Sequence, residues 1–143
     1  MLSPWSIAAH VELLVGAVGS EPAAWIGHSF GGRLAFEVAA RQPELVERLV
    51  LLDPAIVLDP AIALHVGEEA RADRSYASFE EGIERRFVES GLHRTPRDLV
   101  VDDLGGFLVA DFDGRWRYRY SQAAVVAAYG EMASAPPSFE AVR

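Results

Sequence analysis

Ser29 is the residue in this chain whose neighbours could make it react. It stands in Trp25-Ile26-Gly27-His28-Ser29-Phe30-Gly31-Gly32, which fits the spacing Gly-x-Ser-x-Gly. A serine hydroxyl at its ordinary pKa is a poor nucleophile. Attack on a carbonyl needs a turn that presents the hydroxyl, a base within hydrogen-bond reach, and N–H donors for the resulting oxyanion. The turn is legible here. Gly27 and Gly31 flank a bend expected to leave little room for side chains, and Gly32 eases the approach of a following helix to a sheet. The Phe30 N–H falls at a helix N-terminus, where donors and the positive dipole end favour an oxyanion. The alternative is a glycine-rich strand-to-helix turn with an incidental serine, and only the flanking elements can decide between the two.

The helpers are harder to find. Of the four histidines, His28 precedes the serine in the bend, so its side chain is expected to point away from the hydroxyl. His10 falls off the apolar face of the first helix and is expected in solvent. His65 and His93 lie in the charged second half, where a surface role outweighs a pocket role. No histidine pair has metal-ligand spacing, so a zinc site is unsupported, and no metal or organic cofactor is expected. Asp53 ends the strand after the serine helix, where the sites of open α/β sheets gather. A turn-capping role with Pro54 outweighs a catalytic one at this stage. Asp59, before Pro60, reads as a helix start.

The elements that must position these residues follow from apolar spacing. Ser3-Pro4 reads as a helix start, and Ile7, Val11, Leu14, Val15 and Val18 then form one apolar face, stopped at Gly19 to Pro22. Ala23 to Ile26 is a short strand leading into Gly27. Gly31 to Arg41 is a helix rich in small residues, and Arg48 to Leu52 a second strand. Helix, strand, helix, strand predicts a parallel sheet with helices packed on it. The serine therefore lies between strand and helix, the context its motif requires. From Asp59 on the helices are more charged and no further core-like strand is expected. Ser78 with Glu81 forms a capping box for a helix through Glu89, ended by Gly91. Thr95-Pro96 opens another helix. Phe107 to Phe112 and Arg115 to Tyr120 flank Asp113-Gly114, a strong hairpin signal. Ser121 to Met132 is helical, and Ala135-Pro136-Pro137-Ser138 reads as a linker.

Composition narrows the function classes. The 143 residues suit one domain, and half of them are hydrophobic, which excludes disorder as a whole. A net charge of -8 argues against a nucleic-acid partner. It also argues for reading Arg115-Trp116-Arg117-Tyr118-Arg119-Tyr120 as a strand with one aromatic face on a core and one arginine face in water, not as a stacking platform for single strands. There is no cysteine. No signal peptide and no bilayer-spanning run are evident, so no membrane partner and a cytoplasmic location are the expectation.

With these motifs in place, the sequence resembles the α/β-hydrolase family, specifically its capped serine hydrolases. The stretch VELLVGAVGSEPAAWIGHSFGGRLAFEVAARQPELVERLVLLDPA is similar to that fold's helix, nucleophile strand, elbow, following helix and next strand. The resemblance implies an α/β class: a partial core over residues 1–55, a mostly helical cap containing a β-hairpin over 56–135, and a linker over 136–143 returning to a core strand. It implies that Ser29 is the nucleophile and that Phe30 gives one oxyanion-hole N–H. Some family members carry the triad acid where Asp53 stands; most carry it after a later strand, with the histidine later still. Neither that histidine nor the loop giving the second oxyanion donor has a match in these residues. The expectation is an esterase-like enzyme acting on a small-molecule acyl substrate through an acyl-enzyme, with this chain alone inactive. The rival is a non-catalytic truncated or decayed relative, with association through exposed sheet edges its only role.

Overall fold

The computed structural model describes residues 5–137 and 139. Contacts divide the chain into two compact units, residues 1–71 with 123–143, and residues 72–122. These bounds differ from the expected division at 55/56 and 135/136. The helix after Asp59 and most of the final helix belong with the parallel sheet.

In the first unit α1 spans Ile7–Val18. Its cap is Ser6, whose hydroxyl accepts from the Ala9 N–H at 3.1 Å. The expected start at Ser3-Pro4 lies outside the described residues. The Ile7 N–H donates to the Glu131 carboxylate at 2.6 Å, an anion at the positive end of the helix. Gly19, at φ +91°, ends α1. Strand β1 (Ala23–His28) pairs in parallel with β2 (Val46–Leu52), with α2 (Ser29–Arg41) between them. Ile7, Val11, Leu34, Val38 and Met132 form the core, with Trp25 and Phe30 packed against it. Val18, counted on the apolar face of α1, is 48% exposed.

Side chains alternate across the two strands. The paired positions Ala24 and Arg48, Ile26 and Val50, and His28 and Leu52 are all exposed, so among the described residues this sheet face is uncovered. Helix α3 (Pro60–Glu69) starts at Asp59, whose carboxylate accepts from the Ala61 and Ile62 N–H groups, as expected. A Cβ at Gly67 of α3 would lie 3.2 Å from Tyr129 on α6 (Gln122–Ser134), so the two helices approach closely where Gly67 lacks a side chain.

The second unit is a three-stranded antiparallel sheet against two helices. Its strands β3 (Ser75–Tyr76), β4 (Leu108–Ala110) and β5 (Trp116–Tyr118) lie in the order β3-β5-β4. The two-residue β3 is too short to show a period in the sequence. The hairpin forms, but not as a two-residue Asp-Gly turn. The Asp111 N–H bonds the Arg115 carbonyl at 2.7 Å and the Gly114 N–H bonds Asp111 at 3.0 Å, enclosing three residues with Gly114 at φ +78°.

Helix α4 (Phe79–Glu89) has the expected box, with one difference. The Ser78 hydroxyl accepts from the Glu81 N–H at 3.0 Å, and the Glu81 carboxylate reaches back to the Ala77 N–H at 2.6 Å. Helix α5 spans Arg97–Phe107. Tyr76, Ile83, Val100, Leu104 and Leu108 are the core, and the aromatic face of β5 meets it through Trp116 against Phe79 and Tyr118 against Tyr76. The opposite face carries the arginines in water, as expected: Arg115 and Arg119 are exposed, and half-exposed Arg117 is also ion-paired. Arg117 bridges Asp111 at 2.9 Å and Asp113 at 2.7 Å, and the Arg117 hydrogen bond holds the Asp113 carboxyl well below the usual carboxylate range. Arg115 donates to the Ser75 hydroxyl and carbonyl, both at 2.7 Å.

Candidate functional site

Ser29 ends the run of β1 and begins α2 with φ +51°, a left-handed conformation that costs a side-chain-bearing residue about 1–2 kcal/mol. The bend lifts the residue out of the sheet edge, and Ser29 is exposed. Among the described residues no group hydrogen-bonds its hydroxyl. The Ser29 carbonyl is fixed from behind, accepting the Ala55 N–H at 2.9 Å.

The glycines divide the steric work unevenly. A Cβ at Gly27 would sit 2.4 Å from the Gly31 carbonyl oxygen, and one at Gly32 would sit 2.7 Å from the Pro54 side chain. A Cβ at Gly31 would meet nothing within 4 Å. The expected crowding at Gly31 is therefore corrected: Gly27 and Gly32 are the positions that admit no side chain. Phe30 follows Ser29 at the head of α2, with its ring half-buried against the first-unit core.

Asp53 follows the end of β2, and the pairing of His28 with Leu52 sets it beside Ser29 at the same edge of the sheet. It too has positive φ, +42°, and is exposed. Its carboxylate makes no hydrogen bond among the described residues, so the expected side-chain cap of the turn is not formed. What the turn requires of this position is a residue that tolerates left-handed backbone, and aspartate is among those that do.

Three of the four histidines are at the surface, although His65, on α3, belongs with the first unit and not with the expected cap. His28 and His93 are exposed, and His65 is on the surface with its Nε2 3.5 Å from Glu69. His10 differs. It is half-buried, its Nδ1 lies 2.8 Å from the Ser6 carbonyl, and its ring meets Phe30 edge-on at 5.7 Å. His10 thus braces the side chain next to Ser29, but no histidine is hydrogen-bonded to the Ser29 hydroxyl. Among the described residues no group of three His, Asp or Glu side chains could hold a metal.

Sequence reasoning missed Arg33, one turn after Ser29. It is 2% exposed. Its guanidinium donates to Glu37 at 3.0 Å, to the Ile56 carbonyl at 3.0 Å and to the Ala135 carbonyl at 2.7 Å. Glu37 in turn pairs with Arg41 at 2.9 Å. Helix α2 is thereby tied to the segment that leaves β2 and to the one that leaves α6. The sequence reading of 31–41 as a helix rich in small residues gave Arg33, Glu37 and Arg41 no role. The available warning was their place on a helix otherwise built of small and apolar residues.

Comparisons with known proteins place this geometry in a wider set. Residues 3–111 match the model of the α/β-hydrolase fold family. The chain is 34% identical over 134 residues to the lipase LipV of Mycobacterium tuberculosis, covering 92% of this chain and 51% of that protein. In fold it is similar to a crystal structure of an α/β hydrolase from Novosphingobium aromaticivorans, with a TM-score of 0.71 and 19% identity over 85% of this chain and 44% of the other. The chain thus spans about half the length of these relatives.

Proposed function

The chain belongs to the α/β-hydrolase fold family, and from that premise we propose that Ser29 is the nucleophile of an esterase-like serine hydrolase. Attack of the Ser29 hydroxyl oxygen on an acyl carbonyl would form a tetrahedral oxyanion received by the Phe30 N–H. Collapse of that adduct, with loss of the alcohol, would leave an acyl-enzyme for water to cleave. The observation that carries this reading is the strained, exposed Ser29 at φ +51°, on a bend where Gly27 and Gly32 admit no side chain. Strain of this kind is retained where the surrounding structure over-determines it, commonly at reactive residues. The lipase named among the relatives supports an acyl substrate. We take residues 72–122 as the cap and Asp53 as a turn residue, not the acid.

The same reading assigns no activity to the 143-residue chain by itself. An elbow positions a hydroxyl but does not deprotonate it, and no base touches Ser29 among the described residues. The test is hydrolysis of p-nitrophenyl butyrate, with the same chain extended to supply a family histidine as comparison. The 143-residue chain should match its own Ser29→Ala variant, and the extended chain should lose its turnover on that substitution. Turnover in the extended chain that survives Ser29→Ala would overturn the nucleophile assignment. Turnover above Ser29→Ala in the short chain would overturn the inactivity.

A further inference from the structure

Residues 72–122 form an open concavity of about 250 Å³ lined by Arg86, Asp103, Leu104, Phe107, Tyr118 and Tyr120. An engineered apolar cavity of roughly 150 Å³ holds benzene, so this one has room for a single substituted ring. Its walls are suited to a flat body. Tyr118 and Tyr120 stack with centroids 5.0 Å apart and an interplanar angle of 16°, Phe107 is 52% exposed, and Leu104 is 1% exposed. Aromatic faces and edges of this kind favour a further ring.

Arg86 gives the concavity a charge requirement. It is half-buried on α4, its Nε–H is buried with no acceptor, and among the described residues no carboxylate lies within ion-pair distance of it. Neighbouring arginines do have partners: Arg85 pairs with Glu89 at 3.0 Å, and Arg97 pairs with Glu80 and Glu84. The Arg86 side chain lines the concavity with no carboxylate paired to it among the described residues, so an incoming carboxylate there would displace no existing ion pair. Asp103 lines the same concavity beyond ion-pair distance of Arg86. A ligand with a second negative charge would meet that carboxylate.

We propose that this concavity is a binding site for a small aromatic monocarboxylate, with the carboxylate on Arg86 and the ring against Tyr118, Tyr120 and Phe107. The site lies wholly within residues 72–122 and does not depend on Ser29.

The experiment is calorimetric titration of the 143-residue chain with benzoate, benzamide, phthalate and butyrate. Benzoate should bind with a dissociation constant on the order of 1 mM, as expected for a ligand of this size. Benzamide, lacking the charge, phthalate, carrying two, and butyrate, lacking the ring, should each bind about tenfold more weakly or worse. Arg86→Met should lose benzoate by a similar factor without a lower melting temperature, because among the described residues Arg86 has no ion pair to lose. Arg86→Lys should retain part of the affinity, and Ser29→Ala should bind as the unsubstituted chain does. Equal affinity for benzamide or phthalate, or unchanged benzoate binding in Arg86→Met, would overturn the carboxylate site. Butyrate binding as tightly as benzoate would overturn the aromatic component. No benzoate binding at concentrations far above 1 mM would overturn the proposal outright. Should Arg86→Met fail to fold, the three ligand contrasts on the unsubstituted chain still decide.

Discussion

At the scale of single residues, the bend around Ser29 makes its own predictions. Because Ser29 holds φ +51°, Ser29→Gly should be more stable than Ser29→Ala by about 1 kcal/mol, since only glycine relieves the left-handed strain. Equal melting temperatures for the two variants would mean the strain is absent. The glycines separate cleanly. Gly27→Ala and Gly32→Ala should destabilise by several kcal/mol or prevent folding, because each new Cβ would overlap backbone or Pro54. Gly31→Ala should be neutral or slightly stabilising, as its Cβ would meet nothing and alanine favours the helix. At Asp53 the backbone is the demand. Asp53→Asn and Asp53→Gly should fold with little change, and Asp53→Val should cost about 1–2 kcal/mol. In an extended, active chain Asp53→Asn should retain most of its turnover. A collapse on the order of ten-thousandfold with the fold intact would make Asp53 the triad acid.

At the scale of elements, much was legible because periodicity and turn chemistry act locally. The apolar spacing of α1, the run into Gly27, the capping box at Ser78 and the stop at Gly91 all depend on neighbours within a few residues. What was not legible depends on partners far away in sequence. Arg33 is buried because Ile56 and Ala135 present carbonyls to it, and no local pattern announces that. His10 is half-buried because Phe30 lies against it. At Asp113-Gly114 a two-residue and a three-residue hairpin share the same glycine signal, so the sequence does not fix the loop length.

Two consequences can be measured at this scale. Arg33→Met should destabilise the first unit by about 3 kcal/mol, since it removes a buried ion-pair partner and leaves two carbonyls without their donor. Chemical denaturation reads this directly, and a loss below about 1 kcal/mol would refute the clamp. For the hairpin, the Asp113 carboxyl is depressed in the folded state by Arg117. Its contribution is present above the ordinary carboxylate pKa of about 4 and is lost as pH falls toward the lower folded value. Acidification from about pH 5 to about pH 2 should therefore lower stability less in Asp113→Asn than in the unsubstituted chain. An equal acid response in both would assign the sensitivity to other carboxylates.

At the scale of the whole molecule, the uncovered sheet face is the feature with a measurable consequence in solution. Ile26 is 69% exposed, Leu52 52% and Val50 44%, on one face of a parallel sheet, a class of sheet that is normally covered on both sides. With two strands there are also two unpaired edges among the described residues. The 143-residue chain should self-associate in sedimentation experiments, and Val50→Lys with Leu52→Glu should shift it toward monomer with its helical signal retained. A monodisperse monomer before any substitution would contradict this. The central claim, that Ser29 is a positioned nucleophile awaiting its base, is tested most directly by intact-mass detection of a fluorophosphonate adduct. The account predicts negligible labelling of the 143-residue chain. It predicts one adduct per molecule, mapped to Ser29 and lost in Ser29→Ala, when the chain is extended to supply a family histidine. Stoichiometric labelling of the short chain, or an adduct in the extended chain at any residue other than Ser29, would contradict it.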